Sequence, residues 1–385
     1  MTATSTRSAG ASSAYVRAVN LASVLKQVMR HPEISRAGVA AAMGVTRSTV
    51  SRLVDDLVEG GFLTEGDPVV GARGRPATPL RPAPKTFVAI GVELNVTRAV
   101  GMVVDLTGAV LAEHTTSLDG DRLSADEALG KVDDLIAVLK EQLGAQSTMM
   151  GAHLAVPALV DREGGTVLRA PNLGWKNVPV TGMGVSNDID CSALSLLEGT
   201  ALLREPDSNF IYVSGEVGVG AAVCIDGSIR GGRHGWANEL GHVTVNPDGP
   251  VCGCGSNGCL EAYAGLIPLL KEARVDSLDE LVGRLEAGEE HALSTVETVG
   301  RALGVALSSA LNLLDVSRVL LGGHLAVLHP WFADVVTREL NKRVLWSDLA
   351  ELDVAPVGES PRRAAYGAAW VVLLDAVADP ARWID

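Results

Sequence analysis

The run Asn238–Glu261, NELGHVTVNPDGPVCGCGSNGCLE, governs how the rest of the chain is read. Within eighteen positions it holds His242, Cys252, Cys254 and Cys259. Three thiolates and one imidazole make a closed tetrahedral set suited to Zn²⁺, with no position left open for a reacting water. Gly253, Gly255 and Gly258 let the backbone fold tightly enough to bring three sulfurs onto one ion. The expected role is structural, with Zn²⁺ pinning a loop at the edge of another site. Buried cysteines beside an unrelated histidine are the competing reading, but a C-x-C-x4-C run this rich in glycine makes poor core.

Outward from that loop, composition sets bounds. At 385 residues the chain is long for one domain, and 47% hydrophobic residues can fill two or three cores. Of five cysteines, Cys191 and Cys224 stand in apolar surroundings and read as core. That usage fits a reducing cytosol and no disulfide framework, so a cytoplasmic protein is expected. No apolar run approaches the ~20 residues of a membrane span, and MTATSTRSAGASSA lacks the apolar segment of a signal peptide. Residues 1–85 carry eleven Lys/Arg against six Asp/Glu, while residues 86–385 carry twenty-one against forty. A basic module that meets a polyanion, joined to an acidic body that does not, is the natural inference.

The N-terminal pattern sharpens it. Val16, Val19, Leu21, Val24, Leu25 and Val28 recur at helical spacing up to Arg30, and Pro32 stops the helix. Ser35 caps a short second helix through Met43, Gly44 supplies a turn, and Thr46 caps a third helix ended by Gly60 and Gly61. In the third helix Val50, Leu53, Val54 and Leu57 share a face, while Arg47, Ser48, Thr49 and Arg52 lie mostly off it. This is a helix-turn-helix, whose second helix enters the major groove, and a generic three-helix bundle is the alternative. Phe62 and Leu63 then start a strand, and VVGARGRPATPL reads as a wing. Arg73 and Arg75 on that narrow, extended segment suit a minor groove, or else belong to a solvated linker. The expected DNA-contacting set is Ser35, Thr46, Arg47, Ser48, Thr49, Arg52, Arg73 and Arg75.

From Thr86 the texture changes. FVAIGVELNVTRAVGMVVDLTGAVLAEHTT reads as three strands, a helix follows over Ser124–Leu143, and a buried strand lies near Met150–Val156. A second cycle begins with NFIYVSGEVGVGAAVCIDGSI, and long helices are expected near Ser294–Leu314 and Arg362–Val377. Two β-rich α/β units in succession predict a bilobal body with a cleft. The expected division is residues 1–82 for the head, 83–195 for the first lobe and 196–385 for the second, with the C-terminal helix returning to the first lobe.

Several motifs now stand together: GARGRP in the wing, APNLGW at Ala170–Trp175, Asn187-Asp188, ELGH at Glu239–His242 and CGCGSNGCLE at Cys252–Glu261. With these the chain resembles the ROK (repressor, open reading frame, kinase) family from about Asn20 to near its C-terminus. The resemblance implies a winged helix-turn-helix followed by a bilobal α/β body of the actin-like, ribonuclease-H-type ATPase fold with a structural zinc loop. It also implies a sugar held by Asn172, Asn187, Asp188, Glu239, His242 and Glu261. Carboxylates accept from vicinal hydroxyls, and one ring nitrogen of His242 can bind zinc while the other donates to the ligand. Taken singly, each polar residue has a turn or capping alternative, Glu261 above all as a helix N-terminal carboxylate. The chain departs from the family at Pro157-Ala158, where glycine often follows the proline.

Kinases of the family use the carboxylate at Asp188 as general base. Their first phosphate turn, of Asp-x-Gly-Gly-Thr-Lys type, is here Glu93-Leu94-Asn95-Val96-Thr97-Arg98 with both glycines gone. The second reads Ser214-Gly215-Glu216-Val217-Gly218, where Glu216 would repel phosphate oxygens. The loop on the adenosine side keeps Leu321-Gly322-Gly323-His324 and says less. The expectation is a sugar-responsive transcriptional regulator, a repressor more than an activator, with operator DNA and a sugar as partners. A homodimer or homotetramer is expected, since such heads read paired half-sites. A sugar kinase carrying a DNA-binding head is the alternative, with Asp188 catalytic.

Overall fold

Side-chain caps fix the helix ends of the head, which comprises α1 (Ser13–Arg30), α2 (Arg36–Met43) and α3 (Arg47–Glu59). Ser35 Oγ accepts the Gly38 amide at 3.2 Å to start α2, and Thr46 Oγ1 accepts the Thr49 amide at 3.3 Å to start α3. Gly44 ends α2 at φ 66°, a left-handed conformation that turns the chain into α3. Helix α3 buries Val50, Leu53, Val54 and Leu57, each stabilising the head by roughly 1.5–3 kcal/mol. Arg36 ties the helices together, reaching Asp55 at 2.6 Å, Glu65 at 2.9 Å and the Ser51 carbonyl at 2.9 Å. Strands β1 (Leu63–Glu65) and β2 (Leu80–Pro82) pair antiparallel, Leu63 facing Pro82. The computed structural model describes residues 13–68, 78–118, 123–161, 163–198, 208–358, 360 and 362–384, so Arg73 and Arg75 lie outside the described residues.

By its contacts the chain divides into two units, Met1–Leu154 with Gly182–Gly184 and Ala368–Asp385, and Ala155–Thr181 with Val185–Gly367. In the first, β3 (Phe87–Leu94), β4 (Arg98–Asp105) and β5 (Val110–Ser117) form an antiparallel meander. Helix α4 (Ala125–Glu141) starts with a capping box between Ser124 and Glu127, and β6 (Thr148–Val156) pairs with β3 on the side away from β4, with a later short strand (Gly184–Asn187) at its outer edge. Strand β3 is buried along its whole length, as an apolar run in a covered sheet should be. The head packs directly on this sheet: the Phe62 ring lies 4.3 Å from that of Phe87, and Trp383 meets Phe87 edge-on at 6.4 Å.

The second unit opens with a three-stranded antiparallel sheet of β7 (Leu159–Asp161), β8 (Thr166–Ala170) and β9 (Trp175–Pro179). A short β10 (Gly184–Asn187) leads straight into α5 (Asp188–Glu198). The main sheet comprises β11 (Phe210–Gly215), β12 (Val219–Ile225), β13 (Ser228–Ile229), β14 (Arg318–Gly322) and β15 (Asp353–Pro356), ordered β13-β12-β11-β14-β15. Its β11–β12 pair is antiparallel, whereas β14 runs parallel to both neighbours. Between β13 and β14 come α6 (Glu261–Ala264), α7 (Leu266–Ala273), α8 (Leu278–Glu286) and α9 (Glu290–Leu314). Then α10 (Gly323–Arg343) precedes β15, and α11 (Arg363–Ala378) ends the regular structure.

The core of this unit gathers Leu303 and Leu307 of α9, Leu321 of β14 and Phe332 of α10. Helix α10 lies outside the long helices expected from the sequence, and Pro330 stands inside it. Proline removes a helical amide donor, and burial of Phe332, Val336 and Leu340 sustains the helix across that loss. Among the described residues no helix is long and apolar enough to cross a membrane.

Candidate ligand and metal site

The loop after β13 brings His242, Cys252, Cys254 and Cys259 together, their ligand atoms all within 4.8 Å of one another. Cys254 and Cys259 sulfurs are 3.7 Å apart, and Cys252 Sγ is 3.7 Å from His242 Nδ1. A tetrahedron with metal–sulfur bonds of ~2.3 Å has an edge of ~3.8 Å, so the donor set fits an ion. The fold holds the geometry through backbone pairing: Val245 donates to the Gly258 carbonyl at 2.8 Å, and Cys252 to that of Ser256 at 2.8 Å. A side chain on Gly258, at φ 63°, would run into the Asn246 carbonyl. Burial raises the Cys252 and Cys259 thiols, so a divalent cation is what would displace their protons.

Since His242 turns Nδ1 toward the sulfurs, its other ring nitrogen is left for a different partner. Glu239 stands one short turn before it, with the His242 amide donating to the Glu239 carbonyl at 3.0 Å. Burial raises the Glu239 carboxyl; neighbouring Glu261 and Asp190 add to the rise and His242 opposes it. The field at Glu239 therefore joins the metal loop to the start of α5. Glu261 Oε2 accepts the Val219 amide at 3.1 Å, which fixes its carboxylate over the β11–β12 turn.

At the start of α5, Asn187 is an N-cap. Its Oδ1 accepts the amides of Ile189 at 2.8 Å and Asp190 at 3.2 Å, while Nδ2 donates to the Ala158 carbonyl at 3.1 Å. One amide hydrogen remains for a ligand. Asp188 uses Oδ1 on the Ile189 amide at 2.9 Å and keeps its other oxygen. Burial first, then Glu216, pushes its carboxyl up to about 7. Asn172 sits on the exposed turn between β8 and β9, and no hydrogen bond ties it to the others among the described residues.

At the turns after β3, β11 and β14 the protein's own side chains pack against the backbone. After β3, the Val96 amide is taken by Asn95 Oδ1 at 2.7 Å. After β11, a Cβ on Gly215 would lie 2.6 Å from His324 Cε1, so the imidazole lies against the turn. His324 is buried, its Nε2 2.7 Å from the Ala264 carbonyl, and burial lowers its basicity. The Tyr212 hydroxyl lies against Gly322 in the same way. Neither Tyr212 nor His324 was a candidate from sequence. Each looks like ordinary core until the strands are placed side by side.

In the head, Arg47, Ser48 and Arg52 are exposed on α3, with Thr49 half-buried. Neither arginine has a carboxylate partner among the described residues. Ser35 and Thr46 use their hydroxyls as caps, so a phosphate contact from either would share that oxygen.

A DNA-reading head on an actin-like, sugar-kinase-type body is the class this geometry defines. Residues 89–374 match the ROK family model, and residues 22–74 match a MarR family model. The chain belongs to the ROK family. The xylose repressor of Bacillus subtilis (strain 168) is 26% identical over 348 residues, covering 86% of this chain and 88% of that protein. A solved ROK family transcriptional regulator, a homolog of the E. coli MLC protein, superposes with a TM-score of 0.81 at 21% identity, over 96% of this chain and 99% of its own. A ROK family glucokinase from Streptomyces griseus, solved with glucose and AMPPNP, gives 0.61 at 22% identity, over 74% and 98%. The regulator matches head and body together, the glucokinase a smaller share of the chain.

Proposed function

We propose that this chain is a sugar-responsive transcriptional repressor that has lost kinase chemistry. One observation carries the reading. The carboxylates and imidazole that suit a sugar remain, while Asn95 and His324 pack on the two turns that correspond to phosphate turns and Tyr212 packs on the adenosine-side loop. Asp188, Glu239 and Glu261 accept sugar hydroxyls, His242 and Asn187 donate, and Asn172 contributes from the β8–β9 turn. All six belong to the second unit. Zn²⁺ is the ion that suits three thiolates and an imidazole, and it would hold the tautomer and angle of His242. Arg47, Ser48, Thr49 and Arg52 read the major groove, with Ser35, Thr46, Arg73 and Arg75 on the backbone or minor groove. The repressor acts as a homodimer or homotetramer on paired half-sites.

A thermal-shift screen tests this, using free aldoses and sugar phosphates with and without ATP·Mg²⁺. A sugar at 100 times its Kd should add ~2.7 kcal/mol without help from nucleotide. Stabilisation by ATP·Mg²⁺ would overturn the loss of kinase chemistry. One feature favours that second reading: a carboxyl at about 7 suits a general base. A coupled ATP-consumption assay with the stabilising sugar decides between them.

A further inference from the structure

The loop between β13 and the metal site carries an aromatic pair that the sugar reading leaves unused. The His234 and Trp236 rings stack with centroids 4.8 Å apart and planes 28° apart. Trp236 is 45% exposed, so a large part of its indole is open although His234 backs it. Three hydrogen bonds hold it there. Ala237 donates to the Gly231 carbonyl at 3.0 Å, Asn238 Nδ2 to that of Arg230 at 2.9 Å, and Trp236 Nε1 to that of Val160 at 3.2 Å. Asn238 adopts φ 76°, which sets the direction in which the chain leaves for Glu239. An indole fixed by its own N–H keeps little rotamer freedom to lose on binding.

Its position is set by a shared anchor. Val160 lies two residues beyond Ala158, whose carbonyl holds the Asn187 carboxamide. Two residues span at most ~7 Å of chain, so the Asn187 and Trp236 anchors lie within one sugar's length of each other. Glu239 follows Trp236 by three residues. A pyranose with equatorial hydroxyls has a polar rim and two faces of axial C–H bonds. Rim contacts at Asn187, Asp188 and Glu239 leave a face for an apolar surface, and an aromatic ring with one polar edge supplies it.

Resting on the sugar reading above, we infer that Trp236, backed by His234, is the platform on which the ring face of the bound sugar packs. It selects against aldopyranoses with an axial hydroxyl on the face that meets the indole. Such a hydroxyl would be pressed against the ring and lose its hydrogen bonds.

Isothermal titration against D-glucose and D-xylose, against D-mannose and D-galactose, which are axial on one ring face, and against D-allose, which is axial on the other, tests this with the full chain. The parent should prefer an all-equatorial sugar over the epimers of one face by about 10-fold or more. Trp236→Ala, folded by circular dichroism, should weaken that sugar by roughly 10–100-fold and collapse the preference. Trp236→Phe keeps a ring face without the N–H and should retain most of both. A purely structural tryptophan would lower all sugars alike and leave their ratio intact, which overturns the platform. If Trp236→Ala binds as the parent does while Asp188→Asn does not, the platform falls and the sugar reading stands. If the parent binds no sugar of the panel, the platform falls, and the wider screen with sugar phosphates decides the sugar reading.

Discussion

Two glycine-rich regions of the second unit put their glycines to opposite use. In the metal loop, tight backbone turns open a space bounded by three sulfurs and an imidazole, and that space suits a cation. In the turns after β11 and β14, glycines also clear space, yet His324 and Tyr212 fill it from within. The same residue thus marks a ligand site in one place and a closed site in the other. What decides is the chemistry of the side chains that arrive. Thiols gain from exchanging protons for a metal, whereas a buried imidazole and phenol gain from packing and have no need of a phosphate.

The sharpest way to break this contrast is at the metal loop. Cys254→Ser removes a thiolate from a four-ligand set and should cost on the order of 5 kcal/mol of metal-dependent stability. Bound zinc by elemental analysis and the Tm with and without chelator are the measurements. An unchanged Tm would make the loop self-supporting, like the filled turns.

Asp188→Asn comes next. Loss of a charged acceptor should weaken sugar binding by about 100-fold, read by titration calorimetry. The free protein should respond in the opposite sense. The Asp188 carboxyl titrates near 7 when folded against an ordinary value of 3.8, so the folded state holds its proton more tightly. Its stability cost is absent below pH 4, grows as pH rises between these values and is complete above pH 7. The Asn variant should therefore be more stable by up to about 4 kcal/mol at pH 8 and equal near pH 4, in paired urea melts.

At the filled turns, His324→Ala should cost about 2 kcal/mol through the emptied volume and lost hydrogen bond. Nucleotide should still not bind, because Glu216 remains on the turn and Asn95 still occupies the Val96 amide. ATP-induced stabilisation of this variant would show that the ring alone closes the site. The smallest effect is expected outside both regions. Arg52→Ala should weaken operator binding by about 10-fold and reduce the salt slope by about 1, leaving sugar affinity alone. Fluorescence anisotropy at several salt concentrations reads both.

Legibility followed sequence distance. The head's caps at Ser35 and Thr46 and its inner face at Val50, Leu53, Val54 and Leu57 could be read directly, because a helix relates residues three and four apart. Helix α10 could not, because Pro330 masks a segment whose stability comes from packing against α9. The Asn187 side chain shows the same limit. No spacing along the chain announces that its carboxamide caps α5 and holds the Ala158 carbonyl while keeping one amide hydrogen.

By itself the sequence determined the His242, Cys252, Cys254 and Cys259 cluster that could hold a metal, the helix-turn-helix and the absence of glycine after β3. Each is a local pattern, since four ligands within eighteen residues can meet whatever the rest of the chain does. Only the tertiary structure decided that Tyr212 lies against Gly322 and His324 against Gly215, and that one segment, Ala158 to Val160, anchors both Asn187 and Trp236. Those contacts join residues from 29 to more than 100 positions apart. They exist because sheet pairing brings distant strands to their hydrogen-bonding spacing, and no spacing along the chain encodes that.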